Sequence, residues 1–238
     1  MAEQKRFEQK FLFNPLYAEP IEQILRHHCI IDNRHAEDTI VSVYFDTEHL
    51  DSFNDVINGA IFKEKLRLRW YESSTDKDAK TPAVGFLEVK GKSGFVGKKR
   101  RIKVPVTEEL IKHPMMIETY MSDEYRGAMA EIGWRQPKIF SPVIQIKYHR
   151  LRFIEPRSGL QVALDTAIEV TAVNERLVPG SMPTKTTKAV LEIKGAEHLW
   201  PAALKSLETF PLRAMSFSKF AFCLDAARPH PELVGKWL

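Results

Sequence analysis

Cysteine is scarce, with Cys29 and Cys223 the only two in 238 residues. Two thiols cannot build a disulfide framework, and both read as small buried side chains. No run approaches the roughly 18–20 apolar residues of a membrane span. The opening Met1-Ala2-Glu3-Gln4-Lys5-Arg6 lacks the apolar core of a secretory signal. A soluble cytoplasmic protein is therefore expected. Glycine is thin as well, at 11 residues, and none falls in a Walker-type loop that would cradle a nucleotide; Gly91-Lys92-Ser93-Gly94 reads as a turn. The eight histidines are scattered without zinc-like spacing. His27-His28 reads as a helix surface, and no Ser–His–Asp ordering argues for acyl transfer.

Charge of both signs is plentiful and nearly balanced. Lys+Arg 35 against Asp+Glu 31 leaves +4, too mild for a general nucleic-acid coat. Distribution matters more than the total, since local fields act over about 8–10 Å. Length and 44% hydrophobic residues allow a sizeable core. A single domain over 1–238 is expected, because β barrels of this length are commonly one domain.

The distribution is the informative part. Lys63, Lys65, Arg67 and Arg69 alternate with Glu64, Leu66, Leu68 and Trp70. In an extended strand the four bases share one face and Leu66, Leu68 and Trp70 the other. Glu8-Gln9-Lys10, Glu88-Val89-Lys90 and Glu192-Ile193-Lys194 each put an acid and a base on one strand face, and Tyr148-His149-Arg150-Leu151-Arg152 does so with two arginines. Lys98-Lys99-Arg100-Arg101-Ile102-Lys103 places Lys99, Arg101 and Lys103 together. Its alternatives are a phosphate contact and a lysine-protected sheet edge.

Strands are expected over Arg6–Phe13, Thr39–Asp46, Ala60–Tyr71, Val84–Gly91, Lys99–Val106, Pro142–Ile154, Gln161–Val173 and Lys188–Lys194. Pro20 suits the first turn of a helix carrying Ile21, Ile24, Leu25 and His28. Thr107 is an N-cap candidate followed by Glu108 and Glu109, with two helical segments over Thr107–Trp134. Pro201 opens a helix with Leu204 and Leu207, and a last helix begins near Ser216–Ser218. Glu72–Pro82 is expected as a hairpin loop, Gly159 as a hairpin turn and Val178–Thr187 as a loop or lid. The class is α+β, mostly antiparallel.

Buried charge costs several kcal/mol unless paired. The charged strand faces therefore either meet solvent on one side of a sheet or line a water-filled lumen. An ordinary wet face carries many Thr, Ser and Gln; these faces repeat Arg and Lys with Glu nearby. Arginine's planar fork suits phosphate, and lysine acts as a compact point charge. Glu8, Glu88 and Glu192 are candidate ligands for Mg²⁺ or Mn²⁺, hard cations that share oxygen ligands with phosphates. The alternative for each is a plain Glu–Lys pair within the sheet.

The ordered series Arg6-Phe-Glu8-Gln-Lys10, Tyr44-Phe-Asp46-Thr47, Lys65-Leu-Arg67-Leu-Arg69-Trp-Tyr71, Glu88-Val-Lys90, Tyr148-His-Arg150-Leu-Arg152-Phe153, Leu191-Glu192-Ile-Lys194 and Ser218-Lys219-Phe220 resembles the VTC domain. That is the catalytic domain of the vacuolar transporter chaperone polyphosphate polymerase, among the triphosphate tunnel metalloenzymes and their CYTH-like relatives. The likeness runs from about Arg6 to Leu224. It implies an eight-stranded antiparallel tunnel with a charged lumen and flanking helices. It also implies a metal-dependent transferase that adds the terminal phosphate of ATP to inorganic polyphosphate. Carried over by motif, Arg67 and Arg69 bind the triphosphate, and Lys10, Lys90, Arg150 and Arg152 complete the phosphate shell. Lys219 and Ser218 contact phosphate at the tunnel end. Lys65, Lys99, Arg101, Tyr148 and Lys194 contribute to substrate binding. Glu192 holds Mn²⁺ or Mg²⁺, assisted by Glu8.

His149 stands where the resemblance leads one to expect an arginine. Yeast-type polymerases add an N-terminal SPX domain and a C-terminal membrane region, neither of which is in this sequence, so export of product is not expected of it. Hydrolysis of ATP or tripolyphosphate on the same scaffold is one alternative; a non-catalytic polyphosphate or nucleotide-binding module is another. Nucleic acid is not expected as a partner, because stacking aromatics are not interleaved with the bases.

Overall fold

The computed structural model describes residues 7–33, 36–72, 83–94, 96–134, 139–196 and 200–229. Strands β1 (Phe7–Phe13), β2 (Ile30–Ile31), β3 (Glu37–Asp46), β4 (Phe62–Tyr71), β5 (Ala83–Ser93), β6 (Val96–Val106), β7 (Ser141–Ile154), β8 (Gln161–Val173), β9 (Thr184–Lys185), β10 (Ala189–Gly195) and β11 (Arg213–Ala214) are joined by a few helices. These are α1 (Ala18–His28), α2 (Asp51–Ile57), α3 (Glu108–Lys112), α4 (Asp123–Glu131) and α5 (Lys219–Ala227).

The strands follow the order β11-β1-β10-β8-β7-β3-β4-β5-β6, with β2 beside β7 and β9 beside β8. The expected antiparallel α+β class is present. The closed eight-stranded tunnel is not: the sheet has 11 strands, and among the described residues no pairing joins β6 to β11. The count differs because β2, β9 and β11 are two-residue strands. Sequence patterning registers only runs long enough to alternate.

The described residues fall into two compact units, drawn from 1–39, 148–168 and 185–217, and from 40–147, 169–184 and 218–238. In the first, alternate residues of β1, β7, β8 and β10 bury Phe11, Phe13, Leu151, Phe153, Val162, Leu164, Leu191 and Ile193 against Ile21 and Leu25 of α1 and against Leu204 and Leu207. The last two lie on a 3-10 helix, Ala202–Thr209, where an ordinary helix was expected. In the second, Leu66, Leu68 and Trp70 of β4, Leu87 and Val89 of β5, and Val104 and Val106 of β6 pack on Leu110 of α3 and on Tyr125, Ala128 and Ile132. In both cores the apolar alternate residues face helices, which leaves the opposite face of each strand to polar groups.

Local rules account for most boundaries. Thr107 accepts from the Leu110 amide and Ser122 from the Tyr125 amide, so α3 and α4 begin on side-chain caps. A 3-10 turn, Ile117–Tyr120, lies between them. Two differences are informative. Strand β6 begins at Val96 rather than Lys99, because β5 pairs with it from Ser93↔Val96 onward. Helix α2 was not expected, because its N-cap residue is Leu50, with φ 54° and no capping side chain. Asp46 supplies the cap from a distance: its carboxylate accepts from the amides of Thr47, Ser52 and Phe53. Burial raises the Asp46 pKa, and those amide bonds oppose the rise. Arg6 and most of the Glu72–Pro82 loop lie outside the described residues.

Candidate functional site

The second unit carries one strongly basic strand face. Register sets Lys63 opposite Lys92, Lys65 opposite Lys90, Arg67 opposite Glu88 and Arg69 opposite Phe86. It continues across β5 with Lys90 opposite Lys99, Glu88 opposite Arg101 and Phe86 opposite Lys103. Nine bases from three strands thus share a face with a single carboxylate, Glu88.

Glu88 is only 2% exposed. Its Oε2 accepts from Arg67 Nε at 2.7 Å, and its Oε1 pairs with Lys99 Nζ. Burial pushes its pKa up, but Arg67, Arg69 and Lys99 together outweigh burial and hold it at about 2. Both oxygens are thus engaged by cations, which makes Glu88 the counter-ion of this face. Lys99 is lowered by burial, with Glu88 opposing and Arg67 and Arg69 adding to the fall.

The arginines of β4 are individually seated. Arg67 Nη1 donates to the Tyr44 hydroxyl at 3.1 Å and lies 5.8 Å from the Tyr44 ring centroid. Tyr44 in turn stacks on Phe220 of α5 at 5.1 Å. Arg69 is 8% exposed and donates to Ser42. Lys65 donates to the Ser218 hydroxyl at 2.7 Å, and the same hydroxyl caps α5 through the Ala221 amide. Lys219 is the first residue of α5. Lys90 and Arg101 are exposed, Lys99 keeps 43% of its side chain exposed while its ammonium turns in to the buried Glu88, and Arg101 lies 4.9 Å from the Phe86 centroid.

The first unit carries a mixed face. Register sets Glu8 opposite Lys194 and Lys10 opposite Glu192, placing Glu8 and Glu192 as diagonal neighbours on one face. Lys10 pairs with Glu8 at 3.1 Å and donates to the Phe217 carbonyl at 3.3 Å. Glu192 is 7% exposed and takes Lys194 Nζ at 2.6 Å and Arg150 Nη2 at 3.5 Å. Asp165 is fully buried and receives Arg150 Nε at 2.5 Å and Nη2 at 2.7 Å. Burial lowers the Arg150 pKa, but Asp165, Tyr148 and Glu192 more than reverse that and raise it well above its ordinary value. Arg152 Nη1 bonds Asp38 at 2.5 Å.

Tyr148, expected to touch substrate, is 1% exposed, and its ring centroid lies 5.4 Å from the Arg150 guanidinium. His149, on the opposite side of β7, reaches Glu37 at 2.8 Å.

The sequence-derived residues therefore divide by unit. Lys65, Arg67, Arg69, Lys90, Lys99, Arg101, Ser218 and Lys219 belong to one, and Glu8, Lys10, Tyr148, Arg150, Arg152, Glu192 and Lys194 to the other. Sequence reasoning missed Asp165 and Asp38. Neither has a base two residues away, so neither shows the acid–base alternation that marked the others. The chemistry of Glu192 and Glu8 suits a hard divalent cation held by two carboxylates, with water and phosphate oxygens filling the other positions. No cluster of three or more Asp, Glu, His or Cys among the described residues offers a cage.

The family model of the VTC domain matches residues 5–227. Comparison with curated proteins gives no match. Among solved structures, a candidate adenylate cyclase from Bacillus halodurans superposes with a TM-score of 0.54 at 13% identity, over 92% of this chain and 96% of that one. A candidate adenylate cyclase from Vibrio parahaemolyticus gives 0.45 at 11% identity, over 91% and 96%. The PH1012 protein of Pyrococcus horikoshii gives 0.41 at 11% identity, over 82% and 80%. The Bacillus likeness establishes a shared fold. Among the described residues, no helix is long and apolar enough to cross a membrane.

Proposed function

The chain belongs to the VTC domain family, and from that premise we propose that it is an enzyme transferring the terminal phosphoryl group of ATP to inorganic polyphosphate. The observation that carries the reading is the β4–β5–β6 face, where nine bases meet one carboxylate that is already paired. A face so unbalanced is costly to keep unless it serves a polyanion.

Phosphoryl transfer asks little covalent chemistry of a protein; positioning and charge neutralisation supply most of the rate. Arg67 and Arg69, seated by Glu88, Tyr44 and Ser42, would offer planar donors to phosphate oxygens with little reorganisation. Lys65, Lys90, Lys99 and Arg101 would add further positive charge, with Lys219 and Ser218 at the start of α5. On the other face Lys10, Arg150, Arg152 and Lys194 would be the phosphate donors. Glu192, with Glu8, would hold Mn²⁺ or Mg²⁺, which when bound neutralises charge on phosphate oxygens.

In each turn an oxygen of the acceptor phosphate would attack the γ-phosphorus, and ADP would leave with the bridging oxygen. Water as acceptor would give hydrolysis with the same donors. The test is turnover of ATP by the purified chain with and without Mn²⁺, separating chain growth from release of orthophosphate.

A further inference from the structure

We infer that Asp165 is a positioning residue for Arg150: it fixes the guanidinium so that one nitrogen, Nη1, is presented to a phosphate oxygen. The inference rests on the functional reading above in taking Arg150 as a phosphate ligand.

A guanidinium offers five N–H donors in a rigid plane, so fixing one edge fixes the direction of the remaining donors. Asp165 takes the Nε/Nη2 edge of Arg150 in the two-bond, fork-to-fork arrangement, at 2.5 and 2.7 Å. Nη2 also reaches Glu192 at 3.5 Å. Among the described residues Nη1 has no protein partner, and it is not among the buried polar atoms left without one. The Tyr148 ring, 5.4 Å away, supports the guanidinium plane. Asp165 itself is fully buried, so it is out of reach of substrate and acts through the arginine.

The arrangement has a second consequence. The short two-bond contact goes to Asp165, and Glu192 keeps only the 3.5 Å approach. Asp165 thus absorbs most of the charge of Arg150 and leaves Glu192 less encumbered. A lone buried arginine would otherwise be drawn to the nearest carboxylate.

Asp165→Glu keeps the charge and displaces the carboxylate by one methylene; Arg150→Lys keeps the charge and removes the fork. The four proteins of that cycle are titrated with tripolyphosphate by calorimetry, without metal, alongside thermal melts. Asp165→Glu is expected to weaken binding about tenfold in the wild-type background and less than twofold in the Arg150→Lys background. Asp165→Asn, measured in the same two backgrounds, serves should the larger side chain prevent folding, and the same contrast between backgrounds is expected. Equal losses in both backgrounds, or no loss in either, overturn the positioning role while leaving the phosphate site standing. A wild-type protein that binds no tripolyphosphate overturns the functional reading itself, and the role of Asp165 with it.

Discussion

Arg67 places both Nε and Nη2 at 2.7 Å from the same oxygen of Glu88, Oε2, while Lys99 occupies the other. The basic β4–β5–β6 face is thus organised around the one acid that its register places there. Glu88 is almost fully buried and held at about 2, against an ordinary value of 4.5.

A depressed carboxylate stabilises the fold above its unfolded pKa and loses that contribution as pH falls through its folded value. The stability owed to Glu88 should therefore be intact above pH 4.5 and disappear as pH approaches about 2. It amounts to about 3 kcal/mol. Urea melts between pH 7 and pH 2 on wild type and Glu88→Gln check this. The variant should start about 3–5 kcal/mol less stable, because it leaves buried cations uncompensated, and should show a flatter acid limb.

Arg67→Ala should weaken triphosphate binding by about 1.5–3 kcal/mol if its charged hydrogen bond to phosphate is direct. Calorimetric titration with tripolyphosphate reads this. An unchanged affinity would return β4 to the status of an ordinary solvated face.

Glu192→Gln should remove metal-dependent turnover and largely spare metal-free tripolyphosphate binding. The pair of measurements separates a metal ligand from a simple partner of Lys194, whose loss would leave the Mn²⁺ dependence of the rate unchanged.

Ser218→Ala removes the cap of α5 and the acceptor of Lys65 in one step. Loss of such a cap costs about 0.5–2 kcal/mol, read by thermal or urea melts. A change below about 0.3 kcal/mol would show that neither bond contributes to the fold.

Ala167 lies within β8 at φ 48°, in the left-handed region that costs a side chain about 1–2 kcal/mol. Ala167→Gly should relieve that strain and, after the added flexibility of the unfolded chain is subtracted, stabilise by about 0.5–1 kcal/mol. Most glycines placed in strands do the opposite, so equilibrium unfolding gives a clear sign.

Much of this was legible in the sequence because period-2 alternation survives folding: Leu66, Leu68 and Trp70 went to the core and Lys65, Arg67 and Arg69 to the opposite face. What escaped was whatever depends on a partner far along the chain. Helix α2 hides because its cap, Asp46, lies five residues before the helix. Asp165 hides among apolar neighbours, with its base 15 residues away across a turn. The turn that brings them together closes on the Glu155 amide and the Leu160 carbonyl, a backbone pair that only the folded hairpin sets. The two-residue strands β2, β9 and β11 carry no alternation, and so left no trace in the pattern.

The central claim is chain-extending phosphoryl transfer, and γ-labelled ATP with Mn²⁺ and the purified protein tests it most directly. A ladder of labelled chains of increasing length on a gel is the predicted result. Labelled orthophosphate alone, with no chain longer than the substrate, would contradict it.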